Sequence, residues 1–122
     1  MSSICPSILT TLAEDFLLLD IRERFEFSTY RAEFPNYLNI PFSEFDEELP
    51  NLQRNSKFIL ICNNGLRSRT AVQFLTERGF TDVSYVTGGL VKWQQNGLAM
   101  AGSPPDFISH SLSLSKDCAA GT

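Results

Sequence analysis

Cys62 stands at the end of Phe58-Ile59-Leu60-Ile61 and is followed by Asn63-Asn64-Gly65-Leu66-Arg67-Ser68. Four apolar residues, partly β-branched, predict a buried strand over 58–61. The run from Ser68 to Arg78 predicts a helix, with Ser68 as its cap. A thiol between a strand end and a helix start meets unpaired backbone N–H groups and the positive end of the helix dipole. Such a position binds anions and stabilises a thiolate, so the sulfur is a candidate nucleophile. The loop from Cys62 to Arg67 can curl its amides inward as an anion-binding nest, and Gly65 can take the positive φ that a tight cradle needs.

Each residue of the loop has a place in this chemistry and a plainer alternative. Asn63, Asn64, Gly65 and Leu66 contribute backbone amides, and their side chains shape access. Arg67 offers a planar fork of donors for anionic oxygens, or else is a solvated loop charge. The Ser68 hydroxyl can bond the sulfur as well as cap the helix. Arg69 falls on the helix surface. A lone buried cysteine at a strand end is usually a small core residue; it is the loop around Cys62 that argues for more.

The elements that must position this loop alternate between strand and helix. Ile4 marks a first strand, and Pro6 to Ala13 a short helix with proline in its first turn. Phe16-Leu17-Leu18-Leu19 is a short apolar strand, and residues 23–34 are one helical turn and a loop. Leu38-Asn39-Ile40 is a strand stopped by Pro41. Ser43 caps a short acidic helix, with Asp46 three positions on and Pro50 as its limit. After the Cys62 loop, Gly79 stops the long helix. Val83 to Val86 is a last strand, Gly88-Gly89 a tight connection, and Leu90 to Asn96 a final helix ended by Gly97. Strands about 20 residues apart with helices between them predict a parallel α/β sheet.

Composition restricts the function classes. The 122 residues, 43% hydrophobic, suit one globular core. The domain is expected over residues 1–98, and the Ser-, Ala-, Gly- and Pro-rich stretch 99–122 as a C-terminal tail, flexible or packed on the domain. Leu112 and Leu114 weakly permit an edge strand there. No apolar run approaches the ~20 residues of a membrane helix, and no basic leader opens the chain. Three widely spaced cysteines and a single histidine, His110, suggest neither a disulfide framework nor a metal site nor a Cys–His protease. Cys5 and Cys118 read as incidental thiols, and a reducing cytoplasm as the compartment. Residues 1–50 hold ten acidic and three basic residues, a balance of −7, whereas 51–122 hold seven basic and four acidic, a balance of +3. Arg67 and Arg69 belong to the second half, so the loop is a local anion site on an acidic protein, not a nucleic-acid surface.

The landmarks together resemble a single rhodanese (thiosulfate sulfurtransferase-like) domain over about residues 4–98. They are Leu19-Asp20-Ile21-Arg22-Glu23, similar to the family's DVRE element; Asn39-Ile40-Pro41, its NIP turn; the Cys-x-x-Gly-x-Arg-Ser loop at 62–68; and Gly88-Gly89-Leu90-Val91-Lys92-Trp93. The run Ala32-Glu33-Phe34-Pro35-Asn36-Tyr37 departs from the family's Gly-His-Ile-Pro-Gly-Ala, keeping only the proline. The resemblance implies a rhodanese-like fold, a central parallel sheet of about five strands with helices on both faces. It also implies a cysteine that accepts a sulfane sulfur as a persulfide, with no cofactor. Asp20 and Arg22 then read as a structural charge pair supporting the loop, and Gly88, Gly89 and Trp93 as turn and packing residues.

On that reading the Cys62 thiolate attacks the outer sulfur of a small thiosulfate-like donor and expels sulfite, with Arg67 on the sulfonate oxygens. A thiophilic acceptor, such as cyanide or a protein thiol, takes the sulfur in a ping-pong cycle that needs no histidine base. Protein tyrosine phosphatases use Cys-x5-Arg around a phosphoryl group. Here arginines fall at Cys-x4-Arg and Cys-x6-Arg, and the smaller ring suits sulfur. The alternative of a different class is a rhodanese-like interaction or sulfur-sensing module with little turnover.

Overall fold

The computed structural model describes residues 2–12 and 15–105. Five parallel strands form one sheet in the order β1-β6-β5-β2-β4, where β1 is Ser2–Ile4, β2 Leu17–Asp20, β4 Tyr37–Asn39, β5 Lys57–Ile61 and β6 Asp82–Val86. The helices are α1 (Pro6–Leu9), α2 (Arg24–Thr29), α3 (Phe45–Glu48), α4 (Leu66–Glu77) and α5 (Gly89–Gln95), with 3-10 turns on either side of α3.

Two apolar clusters sandwich the sheet, and side-chain alternation sorts the strands between them. Leu19, Ile21, Phe58, Leu60 and Cys62 join α3 and α4 through Phe45, Ala71, Val72 and Leu75. Leu18, Ile59, Ile61 and Val86 join α1 and α5 through Leu9, Leu90 and Trp93. Helices therefore cover both faces, as expected. Parity along β5 puts the Cys62 sulfur on the α4 face, under the helix that the next loop feeds.

The register brings the chemistry-bearing residues to one end of the sheet. Asp20 pairs with Ile61 on one side and Asn39 on the other, so the ends of β2, β4 and β5 lie together. After β2 the chain packs on the α5 face, where Tyr30, Ala32 and Phe34 enter the second cluster. After β5 it packs on the opposite face as α4. Connections that leave neighbouring strands on opposite faces open a crevice at their carboxyl ends, the usual ligand position in such sheets.

The structure corrects several expectations. The segment 23–34 holds a full helix, α2, followed by β3 (Tyr30–Ala32), and β3 pairs antiparallel with β7 (Met100–Gly102) in a second, two-stranded sheet. Part of the segment read as a tail therefore forms a strand. Trp93 Nε1 donates to the Ala99 carbonyl at 2.8 Å, and Gln94 Nε2 to that of Pro105 at 2.8 Å, fastening this strand to α5. Ser43 does not cap α3; its hydroxyl donates to the Glu23 carboxylate at 3.0 Å, and a 3-10 turn (Phe42–Glu44) precedes the helix. The helix at 6–13 is only the Pro6–Leu9 turn. Gly79 follows α4 as expected, where Phe80 N–H donates back to Leu75 O and Gly79 N–H to Thr76 O. The strand considered at Leu112 and Leu114, and Cys118, lie outside the described residues.

Candidate active site

The Cys62 loop turns tightly because Gly65 adopts φ +93°, and this residue, not Ser68, is the N-cap of α4. Helix α4 begins two residues earlier than expected, with the Gly65 carbonyl accepting from the Arg69 amide at 3.1 Å. Ser68 thus lies within the first helical turn and its amide points at the sulfur. The Gly65 N–H donates to Cys62 Sγ at 3.1 Å and the Ser68 N–H at 3.4 Å. Donors at these two positions are the fixed dipoles that favour a sulfur anion. Cys62 is wholly buried and is the free thiol among the described residues, whereas Cys5, expected as an incidental thiol, is disulfide-bonded. The Ser68 hydroxyl is also buried and has no hydrogen-bond partner.

The other loop residues are placed unevenly. The Leu66 N–H donates to the Asn64 side-chain oxygen at 3.1 Å, so that amide closes a local turn. Leu66 and Asn64 are exposed, as is Arg69 on α4. Asn63 faces the α2 side: its Oδ1 accepts from Tyr30 Oη at 3.1 Å and Arg22 Nη1 at 3.4 Å, and its Nδ2 donates to Glu26 Oε2 at 3.1 Å. Arg67 makes a bidentate pair with Glu26, Nη1 to Oε1 at 2.8 Å and Nη2 to Oε2 at 2.9 Å. That bond holds the Glu26 carboxyl below the ordinary carboxylate range, against a smaller opposing effect of burial, and holds the Arg67 guanidinium above its own. The negative charge of a Cys62 thiolate acts on the Arg67 guanidinium in the same upward direction, more weakly than Glu26.

Beneath the loop lies a fully buried ion pair. Arg22 Nε and Nη2 grip Asp20 at 3.0 and 2.8 Å, and Arg22 Nη2 also donates to the Tyr30 carbonyl at 2.6 Å. Burial by itself would lower the Arg22 guanidinium, yet the Asp20 carboxylate and its hydrogen bonds hold it above the ordinary value. Tyr37 Oη donates to Asp20 Oδ2 at 2.5 Å, and burial, then the Asp20 charge, push that phenol far above its usual range. Asn39 Nδ2 ties the Asp20 and Arg22 carbonyls at 2.9 Å each. The charge pair expected from Leu19-Asp20-Ile21-Arg22-Glu23 is therefore present, and through Asn63 it reaches the sulfur-bearing loop.

Helix α5 braces the loop from the other face. Leu90 N–H donates to the Cys62 carbonyl at 2.8 Å and Val91 N–H to that of Asn63 at 2.9 Å. A Cβ on Gly89 would stand 2.2 Å from the Cys62 oxygen, so only glycine permits this approach.

Glu26 and Tyr30 are the site residues that the sequence reading omits. The signal was present as Glu23-x-x-Glu26, which forms a reciprocal capping box at the start of α2, with Glu26 Oε1 accepting from the Glu23 N–H at 3.0 Å. A glutamate in place of the usual Ser or Thr cap obscured it.

These features coincide with a known family. The model of the rhodanese-like domain matches residues 7–96, and the chain belongs to that family. It is 37% identical over 87 residues to the adenylyltransferase and sulfurtransferase MOCS3-1 of Zea mays, covering 66% of this chain and 18% of that protein. It is 30% identical over 81 residues to the putative sulfurtransferase YtwF of Bacillus subtilis, covering 66% of this chain and 76% of that one. Other relatives, at 28% identity, are tRNA uridine(34) hydroxylases, so membership alone does not select a reaction. A rhodanese-related protein of Thermoplasma volcanium superimposes with a TM-score of 0.73 at 34% identity, over 83% of this chain and 98% of its own. The chain thus spans about a fifth of the length of the maize relative, and its own activity has to be argued from the site.

Proposed function

We propose that this chain is a sulfurtransferase that carries a sulfane sulfur on Cys62 as a persulfide, from a small donor to a thiophilic acceptor such as a protein thiol. The observation that carries the reading is the pair of amides, from Gly65 and Ser68, directed at the Cys62 sulfur. A thiolate and a persulfide are both sulfur anions, so the same donors serve both half-reactions. The unpartnered Ser68 hydroxyl adds a buried donor on the same helical turn, available to a second sulfur atom. Asn63 and Arg67 rim the loop, and Asn64 and Leu66 remain exposed at its mouth, where they would meet the donor or acceptor. The chemistry requires no metal or organic cofactor. In the first step the Cys62 thiolate attacks the sulfane sulfur, a Cys62 S–S bond forms, and the donor's S–S bond breaks with its electron pair leaving on sulfite or a thiolate.

Intact-mass measurement after incubation with thiosulfate or an alkyl persulfide tests this reading. The expected product gains one sulfur atom, loses it to excess cyanide or thiol, and is absent from Cys62→Ser. A chain that gains no sulfur from either donor is not a sulfurtransferase. One observation favours the second reading, an interaction or sensing module with little turnover: Cys62 is wholly buried, and the clefts lined by Asp15, Phe16 and Leu52, by Leu9, Leu12 and Phe34, and by Arg24, Phe27 and Tyr37 take in neither it nor its loop. Under that reading the mass gain is absent and the exposed Phe25 and Leu66 serve a partner.

A further inference from the structure

We infer that Glu26 sets donor specificity by occupying Arg67, so that the site discriminates against dianionic donors such as thiosulfate and accepts sulfur from persulfides; the inference rests on the sulfurtransferase reading. Arg22, which reaches the loop through Asn63, and Arg67, on the loop itself, are both engaged. Arg22 is locked to Asp20, and Arg67 is held by both carboxylate oxygens of Glu26. A bidentate arginine–carboxylate contact uses the same fork of donors that a sulfonate would need. The Glu26 carboxylate is further fixed by the Asn63 amide and the Glu23 N–H, so it does not swing away without breaking the α2 capping box. Arg22 and Arg67 are thus each matched by a carboxylate, so neither guanidinium is open to a second anion.

The two donors differ in what they ask of this arrangement. Thiosulfate brings two negative charges, and its sulfonate leaves as sulfite: the Cys62 thiolate bonds the outer sulfur, and the S–S bond breaks with its electron pair on the sulfite. To stabilise that leaving group, Arg67 has to be released from Glu26. With the protonated form of an alkyl persulfide, R–S–SH, the thiolate bonds the terminal sulfur, R–S⁻ leaves with the electron pair, and the proton of Cys62–S–SH passes to R–S⁻, leaving the Cys62 persulfide anion. No oxyanion appears, and the Glu26–Arg67 pair stays closed. Glu26 is a positioning residue in this scheme, because it acts on the donor through Arg67.

The test compares single-turnover loading of Cys62 by thiosulfate and by 2-hydroxyethyl persulfide in wild type, Glu26→Gln, Glu26→Asp, Arg67→Ala and the Glu26→Gln/Arg67→Ala double variant. Expected is a lower thiosulfate KM in Glu26→Gln, by about tenfold, the scale of one charge-assisted hydrogen-bond pair. The persulfide KM stays within about twofold, and Glu26→Asp retains the wild-type preference if it keeps the pair. In the Arg67→Ala background most of the Glu26→Gln gain disappears, which a purely structural role of Glu26 would not produce. An unchanged ratio of the two donors in Glu26→Gln, or an equal gain with and without Arg67, overturns the inference while leaving sulfur transfer intact. Failure of both donors to load Cys62 in every variant overturns the transfer reading itself, and the inference with it.

Discussion

Arg22 does more for the site than its position two residues from a strand end suggests. Its guanidinium spans from the Asp20 carboxylate to the Tyr30 carbonyl and the Asn63 side chain, and its centre sits 4.9 Å from the middle of the Tyr30 ring. A buried pair of this kind is not in itself evidence of stability, because desolvating two charges opposes their attraction. Removing one partner is another matter, since the other charge is then stranded. Arg22→Met is expected to lower unfolding free energy by about 3–5 kcal/mol in urea titrations, whereas disrupting the solvent-screened Arg24–Glu44 pair is expected to change it little. Glu26 has a pH signature of its own. Its folded pKa lies below the ordinary carboxylate value because Arg67 grips it. The stabilisation it provides is therefore complete above about pH 4.5 and is lost as pH falls through the lower folded value. Thermal melts between about pH 6 and pH 3 should show a steeper loss for wild type than for Glu26→Gln, the difference lying in the acid part of the range. Equal slopes would mean that the pair does not persist in solution.

The loop between β5 and α4 works because three elements agree on its shape. The strand delivers Cys62 on the α4 face, Gly65 reverses the chain, and the first amides of α5 donate to the loop's carbonyls. Gly89→Ala would drive a Cβ into the Cys62 and Asn63 backbone at a residue with φ +57°. The expected cost is about 2 kcal/mol or more in unfolding free energy, together with loss of sulfur loading at Cys62. A variant that stays fully stable and active would show that α5 does not set the loop. Much of this element was readable beforehand. The apolar run 58–61 and the cysteine after it define the strand, Gly79 bounds the helix at its far end, and Gly65 is expected as the positive-φ residue of the cradle. The helix start was misplaced because Ser68 has the side chain of a cap, whereas the cap here is a backbone conformation at glycine. The Leu66 amide shows the same limit: the asparagine two residues earlier takes it, and competition of that kind is settled by local geometry.

The whole molecule shows why one segment resisted reading. Strands β3 and β7 are three residues each, lie about 70 positions apart, and carry no alternating pattern; they pair as Tyr30 with Gly102 and Ala32 with Met100. Ser103 N–H then donates to the Thr29 carbonyl at 2.8 Å, closing the chain onto the end of α2. The small sheet therefore supports the helix that presents Glu26 to the loop. A chain ended after Leu98 should unfold with about 2 kcal/mol less stability than one ended after Pro105, since it forfeits the strand pairing and the Met100 packing. Equal stability of the two would assign β7 no part in holding α2.

The parallel sheet and the thiol at the end of β5 follow from short-range rules: helix stops at glycine, spaced apolar strands and the strand–loop–helix order, whereas the two covered faces are implied by the rhodanese resemblance. Those rules act over a few residues, so the chain announces them locally. Which charges meet is another kind of question. Glu26 and Arg67 are 41 positions apart, as are Arg22 and Asn63, and nothing in either neighbourhood marks its partner. Their pairing depends on the β2–β5 register and on the angle at which α2 leaves the sheet, both products of packing across the entire domain. Sulfur chemistry is thus suggested by composition and order along the chain, while the electrostatics that would choose its donor exist only once distant segments are folded together.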